Sequence, residues 1–191
     1  MIAVILGVLS DTHGQQERTA IAVRLLRRVG AEAFVHCGDV GGDGVLAELA
    51  GLRLWVVCGN TDCPDPALEG YARALGLTVS EAGPLRIELE GRSLAVFHGH
   101  EAEFRRLMNT LLETGAPPGD FGRCDYVLHG HTHLLAFTRV GAVRVLNPGA
   151  LHRAMTHTVA TLDLRTDAVE FWEVRDEHPD GEPIPFRTRR R

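Results

Sequence analysis

The chain has 191 residues, of which 45% are hydrophobic and 24% charged, with 20 Lys plus Arg against 25 Asp plus Glu. That length predicts one domain, or at most two small ones, and the balance excludes disordered, collagen-like and fibrous classes. A formal net charge of −5 gives no general pull on nucleic acid or anionic lipid, so any phosphate binding must be local.

The opening nine residues lack the basic leader and small-residue cleavage site of a signal peptide, and residues 4–9 read as a buried first strand. Ile21, Leu25, Leu26 and Val29 recur at helical spacing, predicting a helix over 17–29 that Gly30 ends. Residues 33–37 read as a second strand, 44–49 as a short helix, 52–58 as a third strand, and 67–75 as a helix after a Pro-containing loop. This alternation predicts βαβ units around a parallel sheet. Beyond Pro84, residues 85–89 and 93–97 flank Glu90-Gly91-Arg92 as a hairpin. Phe104, Leu107, Met108, Leu111 and Leu112 then mark the apolar face of a helix, a packing stripe rather than a cofactor box.

Segments 126–128, 135–140, 143–146, 158–164 and 169–174 read as further strands, the later ones antiparallel. Residues 176–191 mix Pro, Gly and charge without apolar period, predicting a tail or surface arm after a domain over 1–175. No apolar run approaches the ~20 residues of a membrane span. Cys37, Cys58, Cys63 and Cys124 form no Cys-x-x-Cys pair, which predicts reduced, mostly buried thiols and a cytoplasmic protein; Cys63 falls near the polar segments described next.

Ten histidines is a high number, and their positions are informative. Apolar strands run into Ser10-Asp11-Thr12-His13, His36-Cys37-Gly38-Asp39, Cys58-Gly59-Asn60-Thr61-Asp62, His98-Gly99-His100 and His129-Gly130-His131-Thr132-His133. The carboxyl ends of parallel strands converge on one crevice, so residues far apart in sequence can meet there. Asp11 and His13 alternate by two and can point the same way from extended chain, as can His131 and His133. Taken singly, each motif is an ordinary cap or turn. Five in succession, all at strand ends, point to a metal site.

These blocks, in this order, resemble the signature of the calcineurin-like metallophosphoesterases, and the compact size and Asn147-Pro148-Gly149 resemble the small bacterial and archaeal phosphodiesterases among them. The resemblance runs from about residue 4 to 175. It implies a four-layer α/β/β/α sandwich with two mixed β-sheets and a two-metal site. One metal would be held by Asp11, His13, Asp39 and His133, the other by Asp39, Asn60, His98 and His131, with Asp39 bridging. Asp39, Asn60 and His98 would then be the catalytic set, acting through a hydroxide bridging the two metals on a small phosphoester. Two carboxylates, four imidazoles and an amide oxygen, with no thiolate, disfavour structural zinc and magnesium alone. Manganese is the first expectation, with iron, zinc or nickel as alternatives. Two divalent ions less two carboxylates and a hydroxide leave a positive pocket in an acidic protein.

Many members of that family carry a His where this chain has Thr61, whose hydroxyl is no useful acid at neutral pH. The departure favours diesters and activated esters over alkyl monoesters. Asn60, Thr61 and His100 are the expected substrate contacts, and His152 and Arg153 are further candidates. His36 and His129 read as satisfied core histidines or as partners of the neighbouring ligands, His157 and His178 as surface ones, and Asp62 as either a partner for His13 or a solvated loop residue. The rival class is a catalytically weak or inert scaffold of the same fold acting through protein contacts. Neither membrane nor general nucleic-acid binding is expected, and a homo-oligomer is left open.

Overall fold

The computed structural model describes residues 4–62, 66–76, 78–80 and 84–187. Cys63, the first three residues and the Arg-rich end from 188 lie outside the described residues. A seven-stranded sheet has the order β12-β11-β10-β1-β2-β3-β4, built from β1 (Ile5–Leu9), β2 (Ala31–His36), β3 (Leu54–Val57), β4 (Thr78–Ser80), β10 (Thr158–Asp163), β11 (Val169–Glu173) and β12 (Ile184–Pro185). A five-stranded sheet has the order β5-β6-β7-β9-β8, from β5 (Leu85–Leu89), β6 (Arg92–Val96), β7 (Tyr126–Leu128), β8 (Ala136–Val140) and β9 (Val143–Asn147). Helices α1 (Gln16–Arg28), α2 (Asp43–Leu49), α3 (Pro66–Ala74) and α4 (Ala102–Thr114) complete the fold.

The two-residue alternation of the strands explains the layering. Leu6, Val8, Ala33 and Val35 of the first sheet meet Leu94, Val96, Tyr126, Leu128 and Leu146 of the second in a core between sheets. The opposite face of the first sheet packs on Ile21, Leu25 and Leu26 of α1 and Leu46 and Leu49 of α2. The outer face of the second, with Ala95, Val127 and Val145, packs on Leu107 and Leu111 of α4. Both sheets are mixed, and the result is the expected α/β/β/α sandwich.

Strands β1 through β4 are parallel, as the βαβ pattern predicts. The later strands are not uniformly antiparallel: β7 pairs parallel with both β6 and β9. This matters for the site, because it brings the carboxyl ends of β6, β7 and β9 to one side. The β5–β6 hairpin closes through Glu90 and Gly91, both at positive φ, the mirror-image turn that suits strand twist. Residues 176–187 lie along α1, where Arg24 donates to the Pro179 carbonyl at 2.8 Å and Arg28 to Asp180 at 3.1 Å, and β12 adds to the sheet edge.

Candidate metal centre

The loops after β1, β2, β3, β6 and β7 meet at one end of the sandwich, held to one another by main-chain hydrogen bonds. Asp11 N–H donates to the Gly38 carbonyl at 2.9 Å, His13 N–H to Asp39 at 2.9 Å, Gly14 N–H to Val40 at 2.9 Å and Gly130 N–H to His98 at 2.8 Å. Asp11, His13, Asp39, His131 and His133 all have positive φ, between 43° and 68°. Few non-glycine residues adopt that region, and where they do the strain commonly serves a site. Gly59 and Gly130 are required for a different reason: a Cβ on the first would run into Asp39, and one on the second into Ser10 and Asp11.

One ligand atom from each of Asp11, His13, Asp39 and His133 lies within 4.8 Å of the others. His133 Nε2 is 3.2 Å from Asp11 Oδ1, and His13 Nε2 is 3.4 Å from both His133 Nε2 and Asp39 Oδ2. Beside this group, His98 Nε2 lies 3.0 Å from Asn60 Oδ1, 3.3 Å from His131 Nδ1 and 3.4 Å from the same Asp39 oxygen. Donor atoms that share one ion with bonds of roughly 2.1 Å sit roughly 3.0–3.4 Å apart. The neighbouring pairs have that spacing, the Asp11, His13, Asp39 and His133 group as a whole lies within 4.8 Å, and Asp39 Oδ2 borders both clusters. The structure thus brings all seven expected ligands together.

His98 shows how the site handles positive charge. Its Nδ1 donates to the Cys37 carbonyl at 2.8 Å, so Nε2 is the nitrogen left for the site. Nε2 faces the Asn60 amide oxygen and the Asp39 carboxylate, a position suited to a proton or to a cation in its place. Burial alone would lower the His98 pKa, but the hydrogen bonds to Asp39 and Cys37 overcome it and raise the net value. Burial likewise opposes ionisation of Asp39, yet hydrogen bonds from His98 and from the Thr61 N–H (2.9 Å) hold its carboxyl well below the usual range. At Asp11 burial prevails and the pKa rises, despite Ser10, His98 and His133. Burial and the neighbouring His98 lower that of His131.

Thr61 contributes its backbone amide to Asp39, and Asp62 does not reach His13 or stand free in solvent. Its carboxylate accepts N–H groups from Val40 (3.1 Å), Gly41 (3.1 Å) and Gly59 (2.8 Å), tying the Asp39 loop to the Asn60 loop. His100 packs on His98 with ring centroids 5.4 Å apart, and its Nδ1 is enclosed without a hydrogen-bond partner. His36 is fully buried, and His129 packs on Phe104 with its Nδ1 donating to the Gly130 carbonyl, so both are core histidines. His157 and His178 are half-buried, the latter paired with Glu182 at 2.8 Å. Cys37, Cys58 and Cys124 form no disulfide, and Cys37 and Cys124 are buried.

Two supporting roles escape the sequence reading, which names Asn147 only as part of a family-like block. Glu101 accepts the N–H groups of His98 and Gly99, each at 2.7 Å, fixing the turn before α4. An acidic residue just ahead of an amphipathic helix was the available signal. Asn147 Nδ2 donates to the Gly130 carbonyl at 2.9 Å and to Thr132 at 3.1 Å, bracing the loop that carries His131 and His133.

The sequence profile of the calcineurin-like phosphoesterase superfamily domain matches residues 4–167. The chain is 26% identical over 173 residues to phosphodiesterase MJ0936 of Methanocaldococcus jannaschii, covering 88% of this chain and 97% of that one. A solved archaeal phosphodiesterase superposes with a TM-score of 0.75 at 22% identity, over 89% of this chain and 99% of the other. Vps29 of Entamoeba histolytica shares the fold at a TM-score of 0.60 and 20% identity, over 96% and 100%. With the profile spanning most of its length, the chain belongs to the calcineurin-like phosphoesterase superfamily.

Proposed function

We propose that the protein hydrolyses a small phosphodiester, using two divalent cations held by Asp11, His13, Asp39 and His133 on one side and Asp39, Asn60, His98 and His131 on the other. The observation that carries this reading is the single Asp39 oxygen lying 3.4 Å from both His13 and His98, so that two donor clusters adjoin through one carboxylate. Bound there, the cations would supply an activated water near neutral pH and the positive charge that phosphoryl transfer requires. Manganese is the first metal to test, then iron, zinc and nickel, because imidazole and carboxylate donors suit all four.

The chain's own groups set the rest. Asn60 offers an amide that both ligates and orients a phosphoryl oxygen. The unpartnered His100 nitrogen supports a substrate contact, since a buried polar atom of this kind is satisfied by a ligand or water. Thr61 supplies no acid for the leaving group, which favours diesters and activated aryl esters over alkyl monoesters. General acid help is worth roughly 10²–10⁴-fold where present.

The scaffold alternative draws on the shared fold with Vps29, but no ligand position here is vacated. The three described cysteines, none in a disulfide, support a reducing compartment, and we place the protein in the cytoplasm. Purified protein should retain or take up close to two equivalents of manganese and hydrolyse bis-p-nitrophenyl phosphate in preference to sugar phosphates. Metal binding without turnover of any ester would favour the scaffold.

A further inference from the structure

We propose that Arg153, on the loop after Asn147-Pro148-Gly149, binds an anionic group that the substrate carries beyond its scissile phosphorus, so that the site favours diesters bearing a second phosphoryl group, such as a nucleotide ester with a further phosphate. This deepens the phosphodiesterase function proposed above and rests on it.

The His152 ring packs against that of His13, centroids 5.3 Å apart, so Arg153 follows directly in the chain a residue that borders the Asp11–His13–His133 cluster. Arg18, Arg153 and His13 all lie within electrostatic reach of His152. Arg18 is committed, donating to Asp176 and to the Leu151 carbonyl at 2.8 Å. Across the site, Arg105 is committed to the His100 carbonyl at 2.9 Å. Arg153 is exposed and makes no hydrogen bond or ion pair among the described residues. A free guanidinium presents a fork of donors that matches phosphate oxygens, and no described residue competes for it.

Its backbone is built, not incidental. Eight described non-glycine residues have positive φ; Glu90 and Asp167 lie in hairpin turns and five are the candidate ligands. The remaining one is Arg153, at φ 49°. The loop is anchored just before it: Leu151 is fully buried, its N–H reaches the Ser10 carbonyl at 3.4 Å, and its own carbonyl takes the Arg18 bond. Two residues on, Met155 is fully exposed, an adaptable apolar surface for the organic part of such an ester.

The test uses manganese-loaded wild type, Arg153→Ala and Arg153→Lys with thymidine 5′-(p-nitrophenyl phosphate), with and without a 3′-phosphate. A charge-assisted contact predicts a KM about tenfold lower for the 3′-phosphorylated ester in wild type. Arg153→Ala should bring the ratio near one, and Arg153→Lys should keep part of it. Calorimetric binding of thymidine 3′,5′-bisphosphate, with and without manganese, is read on the same proteins and should weaken about tenfold in Arg153→Ala. A wild-type ratio near one, or equal bisphosphate affinity in wild type and Arg153→Ala, overturns the subsite. If loaded wild type hydrolyses neither ester yet binds bisphosphate through Arg153, the subsite stands and the phosphodiesterase function falls.

Discussion

The His36 imidazole donates from Nε2 to the Thr12 hydroxyl at 3.0 Å, directly beneath the Asp11 and Asp39 loops. The direction follows from the other nitrogen: Nδ1 accepts the Gly38 N–H at 3.1 Å, so the proton must reside on Nε2, and Thr12 passes its own to the Val40 carbonyl at 2.9 Å. The ring is neutral, with burial bringing its pKa down to about 4. Because the folded value lies below the ordinary 6.5, the stability it contributes is complete above pH 6.5 and drains away as pH falls toward 4. In chelator, the urea-unfolding free energy of the wild type should fall more steeply over that window than that of His36→Gln, by about 3 kcal/mol. Parallel profiles would refute the assignment.

Asp39→Asn tests the shared carboxylate. Removing one charge from an oxygen that borders both clusters should weaken metal binding at both, abolish ester hydrolysis, and eliminate the rise in Tm that manganese gives the wild type. The fold should survive, since the carboxamide fills the same space. Loss of only one metal equivalent would show that the clusters act separately.

Asp62→Ala leaves the N–H groups of Val40, Gly41 and Gly59 without their acceptor. The expected cost is about 1–3 kcal/mol of stability, with metal affinity reduced about 10–100-fold because the Asp39 and Asn60 loops lose their tie. Isothermal titration with manganese, alongside chemical unfolding, separates the two effects.

At the far end of the sandwich, Asp167 accepts from Tyr126 and Arg144, and pairs with Arg92 at 3.2 Å, joining the β10–β11 turn to the other sheet. Asp167→Ala strands two guanidinium groups that are mostly buried, so it should destabilise by about 2–4 kcal/mol. Manganese affinity should stay at the wild-type level, because the clamp lies away from the site.

Most of this architecture is legible in the sequence, for identifiable reasons. Strands such as β1 and β6 alternate or run apolar and stop at ligand-bearing residues, so Asp11 and His98 announce both an element's end and its chemistry. What escapes depends on tertiary context. The three residues of β4 and the Ile184–Pro185 pair of β12 are too short for any periodicity, and each becomes a strand only because a neighbouring edge accepts it. The parallel pairing of β7 with β9 is set by the β8 excursion between them, which hydropathy does not record. Asp62 and Glu101 accept from backbone N–H groups several residues or a whole loop away, and a side chain that serves main chain leaves no spacing rule behind. The left-handed backbone at Asp11, His13, Asp39, His131 and His133 is equally silent, since sequence announces that conformation chiefly through glycine.

The loops that present these groups are knitted to one another by main-chain bonds such as Asp11 to Gly38 and Gly130 to His98, which no side-chain replacement removes. The cradle therefore exists independently of the cargo it was shaped for. Descendants of such a chain can exchange a histidine or aspartate for something inert and still inherit the same cup, available for whatever molecule next fits its contour.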